Sequence, residues 1–412
     1  MEEVCDRQNL EQAWKRVRAN KGSPGVDGLT VDATADYLRE HWPTIRDQLL
    51  TGTYTPQPVK RVDIPKPASG VRQLGVPCVV DRLIQQAVLQ VLQPQWDPTF
   101  SEHSYGFRPG RSAHQAVAQA QAYIADGYDV VVDLDLEKFF DRVNQDRLMA
   151  RVAGRVSDKR VLTLIRACLR AGVLEDGLVR PTEEGTPQGG PLSPLLSNLV
   201  LDELDKELER RGHRFCRYAD DSNIYVRSRK AGDRVMASIG RFVTDQLRLT
   251  VNTSKSAVAR PEERTFLGFR LTNDGSQRQI APQALARFKA RVRKLTRRTL
   301  GVSLPQLVKM LAPYLRGWRS YFGRCDTPRV LATLDAWIRR RLRMYLWRQW
   351  QNGRNRFHEL RRRGVRTFAA AVAAGSTTGF WRMSSHPAVH QALRNAYFDC
   401  IGLPRLAAPS NA

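Results

Sequence analysis

A chain of 412 residues, 42% hydrophobic and 26% charged, has the material for two or three domains with a sizeable core, and its six cysteines include no C-x-x-C pair; a disordered chain, a small disulfide scaffold and a zinc-ribbon motif are excluded. The net charge of +25 is localised, because residues 278–412 hold 27 Lys and Arg against four acids while residues 1–277 hold 39 against 37. Such asymmetry, with Trp, Tyr and Phe interleaved among the arginines, predicts a nucleic-acid partner; no apolar run long enough for a membrane span exists.

In chain order, Leu10, Trp14 and Val17 have helical spacing, and a turn follows at Gly22 to Gly28. Leu38, Trp42, Ile45 and Leu49 predict a second helix over 31–50. Val59 to Ile64 reads as a strand stopped by Pro65 and Pro67, and Gly70 permits a hairpin into Val71 to Pro77. An apolar helix spans 81–93, and Ser112 caps another that runs to 125. Val130 to Val132 forms an apolar strand that runs into Asp133 and Asp135. Helices over 144–171 and 191–210 follow, then a strand, a turn at Asp220-Asp221 and a second strand. Beyond 278, strands give way to helices over 281–300, 303–322, 328–352 and 386–398. Within the third, Arg339, Arg340, Arg341 and Arg343 stand against Trp337, Ile338, Leu342, Tyr345 and Leu346, a basic amphipathic pattern. The order predicts an α+β domain with a small, largely antiparallel sheet, followed by an all-helical basic region.

Two acidic clusters carry the chemistry. In Val130 to Asp141, period-two alternation puts Asp133 and Asp135 on one face of a strand. In Arg217-Tyr218-Ala219-Asp220-Asp221-Ser222, two carboxylates fall at a hairpin turn. Asp-Asp is also ordinary turn chemistry. Two carboxylate sites at strand ends are nevertheless what a pair of Mg²⁺ ions requires, since a hard cation takes oxygen ligands and leaves positions for substrate phosphates. A glycine-rich stretch, Glu184 to Pro194, lets backbone approach a ligand closely and carries Gln188 as donor and acceptor, but it lacks the lysine and spacing of a P-loop.

Gly185-Thr186-Pro187-Gln188-Gly189-Gly190-Pro191-Leu192-Ser193-Pro194, followed about thirty residues on by Tyr218-Ala219-Asp220-Asp221, resembles the reverse transcriptases encoded by bacterial group II introns, which also act as splicing maturases. Ile64-Pro65-Lys66-Pro67 to Leu74-Gly75-Val76-Pro77 is similar to the first fingers block, and Ser104 to Ser112 to the second. Asp135 to Asp141 resembles the first palm acid motif. Asn252 to Lys255 and Phe266 to Phe269 resemble later palm blocks, and Tyr314 to Phe322 the maturase-specific thumb region. Ser222 departs from the large apolar residue usual after the two acids, and Gln73 replaces a usual proline.

The resemblance implies a right-hand polymerase: an N-terminal extension (1–55), fingers and palm (56–277), a helical thumb or maturase-specific domain (278–352) and a basic DNA- or RNA-binding segment (353–412). Asp135, Asp220 and Asp221 would bind two Mg²⁺ ions, with a backbone carbonyl from Leu136. Phe140 would exclude a ribose 2′-hydroxyl, or serve as plain core. Gln188 would border the nucleotide. Arg72 and Lys66 would face its triphosphate, though Lys66 reads equally as a solvated hairpin charge. Lys255 would protonate the pyrophosphate leaving group, or form a structural ion pair. The implied partners are dNTPs, an RNA template with a DNA primer, the parent group II intron RNA and a DNA target, in a bacterial cytoplasm at the nucleoid. The sequence does not fix an oligomeric state. The resemblance also implies splicing and retrohoming. Many relatives carry a C-terminal nuclease domain; none is read before Ala412, so DNA cleavage by this chain is not expected and the primer would come from elsewhere. A splicing-only RNA-binding maturase and a domesticated defence- or CRISPR-associated reverse transcriptase are the alternatives.

Overall fold

The structure, a computed structural model, describes residues 1–65, 71–175, 178–180, 184–186 and 189–407. The chain divides into two compact units, Met1–Arg264 and Thr265–Ala412.

In the first unit, α1 (Arg7–Ala19) and α2 (Val31–Thr51) precede a hairpin of β1 (Val59–Pro65) and β2 (Val71–Val76). Helices α3 (Val79–Trp96) and α4 (Ala113–Ala125) lead to β3 (Val130–Leu134). Three helices follow, α5 (Phe139–Arg142), α6 (Gln145–Ala153) and α7 (Lys159–Arg170), then the short strands β4 (Val173–Glu175) and β5 (Leu178–Arg180). Helix α8 (Ser193–Arg210) precedes β6 (Arg214–Tyr218), β7 (Asp221–Val226), α9 (Arg229–Phe242) and β8 (Ala257–Ala259). Two four-stranded sheets result, ordered β2-β1-β4-β5 and β6-β7-β3-β8. Every pairing in the second is antiparallel, while β1 and β4 run parallel in the first.

Local chemistry sets the helix starts: Ser112, Asn144 and Ser228 accept from backbone amides in the first turns of α4, α6 and α9. Val130, Val132 and Leu134 sink one face of β3 into a core shared with Leu199 and Val200 of α8, Phe215 of β6 and Ile224 of β7. Ala13, Ile45 and Leu49 belong to that same core, so the N-terminal helices are part of this unit. Strands β4, β5 and β8 are additions to the sequence reading; three residues each is too short for periodicity to register.

The second unit opens with a two-stranded ribbon, β9 (Phe269–Leu271) and β10 (Arg278–Ile280). Helices α10 (Pro282–Leu295), α11 (Leu304–Phe322) and α12 (Pro328–Gln349) follow. They are succeeded by α13 (Gly353–Arg362), α14 (Thr367–Gly375), α15 (Phe380–Met383), α16 (Pro387–Ala392) and α17 (Asn395–Cys400). The Tyr314 to Phe322 block works as packing: Trp318 lies 4.3 Å and Tyr314 5.7 Å from Phe288 of α10, ring centre to ring centre. The helix expected over 386–398 is two short ones. The arginines of α12 are not one solvent-facing stripe, because successive residues on a helix turn about 100°. Arg339 and Arg343 are buried; Arg339 pairs with Asp335 and Asp399, and Arg343 donates to the Leu393 carbonyl at 3.0 Å. Among the described residues no helix is long and apolar enough to cross a membrane.

Candidate active site

β6 and β7 pair from Arg214↔Tyr225 to Tyr218↔Asp221, so the turn between them is Ala219 and Asp220 alone. β7 pairs on its other side with β3, placing Asp133 opposite Asn223 and Leu134 opposite Ser222. One further step of that register sets Asp135 opposite Asp221. Adjacent strands lie roughly 4.8 Å apart. Asp135, Asp220 and Asp221 therefore meet at one end of the sheet, although 85 residues of sequence separate the first two. Backbone bonds fix the β3 end: the Asp135 amide donates to Ser256 Oγ at 3.0 Å, and the Asn252 amide donates to the Asp135 carbonyl at 2.8 Å. Leu136 is buried and bridges to Val251.

The charges are crowded. Loss of hydration, then repulsion from Asp220, Asp133 and Asp135, raises Asp221 to a pKa of about 6, against the pull of Lys255. Residue 221 as a whole stays open to solvent, so the neighbouring carboxylates are the part of this effect that a bound cation would reverse. Lys255 Nζ lies 3.4 Å from the Asp135 carboxylate. Asp133, on the same face, is engaged by Arg264, whose Nε donates to it at 2.9 Å; burial still leaves its pKa raised. A carboxylate whose folded pKa is raised costs stability as pH climbs through that pKa. Asp221→Asn in EDTA is therefore expected to melt slightly above the parent at pH 7.5, by about 1–3 °C. The difference should vanish near pH 4, where the parent carboxyl is protonated, and shrink when Mg²⁺ is added. Differential scanning calorimetry checks it; a variant that melts below the parent at pH 7.5 contradicts it.

The turn rests on a buried polar network. Ala219 has φ +57°, a left-handed conformation unusual for a residue with a Cβ. Arg217, wholly buried, donates to the Ala219 carbonyl at 3.0 Å and to Asn198 Oδ1 at 3.0 Å, and forms a two-bond fork with Asp205. Asn198 in turn donates to the Gly106 carbonyl at 2.9 Å. A Cβ on Gly106 would lie 2.3 Å from the Ala219 nitrogen, so only glycine lets this segment reach the turn. The block from Ser104 thus runs along β6, with the Tyr105 amide donating to the Arg217 carbonyl at 2.9 Å. The sequence reading overlooked Arg217, Asp205 and Asn198. The available signal was polar residues at 198, 202 and 205, a helical spacing on the otherwise apolar face of α8.

Phe140 sits beside the glycine-rich stretch. Its carbonyl accepts from the Thr186 amide at 2.7 Å, and a Cβ on Gly185 (φ +87°) would come within 2.7 Å of that carbonyl. Gly189 packs so tightly on β2 that a Cβ would lie 2.6 Å from the Gly75 carbonyl oxygen. A cavity of about 410 Å³ opens between these pieces, lined by Leu74, Arg82, Gln86, Phe107, Phe140 and Gly189 among others. Lys66 and Gln188, and the side chain of Arg72, lie outside the described residues.

The donors suit a hard divalent cation: carboxylates only, at the mouth of a sheet, with one carboxyl raised by loss of hydration and by its like-charged neighbours. Among the described residues no three His, Cys, Asp or Glu side chains close on a single ion. Mg²⁺ commonly takes one or two protein carboxylates and completes its shell with water and the substrate's phosphates. An antiparallel sheet with paired acids at a hairpin tip is the arrangement of a nucleotidyl-transfer palm.

Comparison with known proteins agrees. Residues 64–271 match the family described as reverse transcriptase (RNA-dependent DNA polymerase), and residues 285–364 match the group II intron, maturase-specific domain. The chain belongs to the reverse transcriptase family and carries a group II intron maturase domain. It is 34% identical over 309 residues to protein YkfC of Escherichia coli K12, spanning 65% of this chain and 81% of that one. It is 38% identical over 195 residues to the group II intron-encoded protein LtrA of Lactococcus lactis, spanning 47% of this chain but only 32% of LtrA. Among solved structures, a partial Cas6-RT-Cas1–Cas2 complex aligns over 59% of this chain and 42% of its own, with 24% identity and a TM-score of 0.38.

Proposed function

We propose that this chain extends a primer 3′-hydroxyl with dNTPs on an RNA template, using Asp135, Asp220 and Asp221 as the carboxylates that hold two Mg²⁺ ions, with the Leu136 carbonyl as a further ligand. The observation that carries the reading is the strand register that pairs Leu134 with Ser222, the residues adjoining Asp135 and Asp221, next to the Asp220 turn. When bound, the ions neutralise the triphosphate and activate the attacking hydroxyl. The chain's part is positioning and charge placement. Lys255, beside Asp135, stands ready to give a proton to the departing pyrophosphate. Arg72 and Lys66 come from the fingers hairpin to the triphosphate, and Arg72 supplies a fork that matches phosphate geometry. Gln188 would border the nucleotide pocket. The maturase domain binds the parent intron RNA through its backbone, which supports splicing and mobility. A DNA target engages the basic region beyond residue 353.

Primer extension on poly(rA)/oligo(dT) with Mg²⁺ tests the reading; a folded protein that makes no product refutes it. Phe140 gives a second test. If its ring fills the space a 2′-hydroxyl would need, Phe140→Ala will lower the dNTP preference, measured as the ratio of kcat/KM for dNTP over rNTP, by roughly 10- to 100-fold. An unchanged ratio assigns the ring to the core.

A further inference from the structure

At the end of the β6–β7 hairpin remote from the acidic turn, a cleft of about 670 Å³ opens between the strand ends and α9. Its walls carry Arg211, Arg214, Arg227, Arg234 and Arg241, with Tyr128 and His213, and no Asp or Glu; Arg211 is paired with Glu207. Its charge stands out in the first two thirds of the chain, where acids and bases nearly balance. Among the described residues none of the other four arginines has a carboxylate within 4.0 Å. Most arginines of this unit outside the cleft do, as Arg151 with Glu203 and Arg264 with Asp133 illustrate. The guanidinium of Arg227 lies 4.5 Å from the centre of the Tyr128 ring, an arrangement that presents a charge and a flat surface together. Arg234 and Arg241 stand two turns apart on α9, roughly 10 Å along its axis.

We infer that this cleft is a second nucleic-acid site, which grips the sugar–phosphate backbone of a strand other than the one being copied. Arg227 is six residues from Asp221 along the strand, roughly 20 Å at the rise of an extended chain. That exceeds the screening length of about 8–10 Å, so these charges do not act on the nucleotide site. Unpaired guanidinium groups around a concave surface match phosphates, and the tyrosine offers a stacking partner to an unpaired base. The neighbouring Arg227 and Arg214 guanidiniums hold the Tyr128 phenol below its usual pKa, and burial together with Arg211 lowers that of His213. The Tyr128 shift fits a cleft of positive potential. The inference rests on the reading of the chain as a nucleic-acid enzyme.

The test compares the parent with Arg227→Gln/Arg234→Gln/Arg241→Gln. A control, Arg7→Gln/Arg166→Gln/Lys206→Gln, removes the same charge from residues that have acidic partners. Binding of a 5′-labelled structured RNA of several hundred nucleotides, and of DNA of the same sequence, is followed over a salt series. The cleft variant should bind RNA about 10- to 100-fold more weakly, with the slope of log K against log salt reduced by roughly two, whereas the control changes little. Loss with RNA alone assigns the site to RNA; equal loss with DNA assigns it to either backbone. Primer extension on a short poly(rA)/oligo(dT) duplex should match the parent. Unchanged affinity and slope, a loss equal to the control's, or weakened binding of the short duplex overturns the inference. Failure of the parent itself to extend the short duplex counts instead against the polymerase reading.

Discussion

Asp220→Asn protein is expected to bind a primer–template duplex as tightly as the parent and to extend it at least about 10³-fold more slowly. The amide keeps the shape of the carboxylate and removes its charge, so the two-residue turn and its pairing at Tyr218↔Asp221 should survive. Duplex grip comes from Lys and Arg contacts to phosphates, which the substitution leaves alone. The chemical step depends on a negative charge that fixes a cation where the transition state needs it, and that charge is lost outright. Asp135→Asn should behave in the same way despite standing 85 residues upstream, because the β3–β7 register brings it to the same point. Single-turnover extension with a filter-binding control separates rate from affinity. If Asp220 and Asp221 are only turn formers, both variants will extend at close to the parental rate; more than about a tenth of that rate at saturating Mg²⁺ overturns the assignment.

The acidic turn was legible because strand periodicity on either side of Asp220-Asp221 leaves little else for those residues to be. The helical fate of the last third was legible for a similar reason, since long amphipathic periods in α10, α11 and α12 are strong signals. Register was not legible: nothing local says that Leu134 faces Ser222 rather than a neighbour, and a slip of one residue would turn Asp135 to the other face. The arginines of α12 misled because charge in a helix is normally solvated, whereas Arg339 finds its carboxylates inside the fold, one of them 60 residues away at Asp399. Three-residue strands such as β8 exist only because a partner strand pairs with them, so their cause is not in their own sequence. The same holds for Arg217, whose role depends on a carboxylate from a different element.

That pair gives the second large effect. Arg217→Met is expected to destabilise the first unit by about 3–5 kcal/mol, because it strands the Asp205 carboxylate in a site with no exposure. Asp205→Leu should cost about the same for the converse reason. Replacing both with apolar residues should cost far less than the sum, a coupling that chemical denaturation of the two single variants and the double variant measures directly. Stability and activity then part ways. In the refolded double variant the Ala219 carbonyl and Asn198 Oδ1 have both lost their donor. Nothing holds Ala219 in its left-handed conformation, and the neighbouring Asp220 loses its fixed position. Primer extension should therefore stay at least about tenfold below the parent even where the melting temperature is restored, since small misplacements of reacting groups are costly. Full activity in a stable double variant would reduce Arg217 to a core ion pair. Recovered stability with lost activity identifies it as the residue that sets the turn.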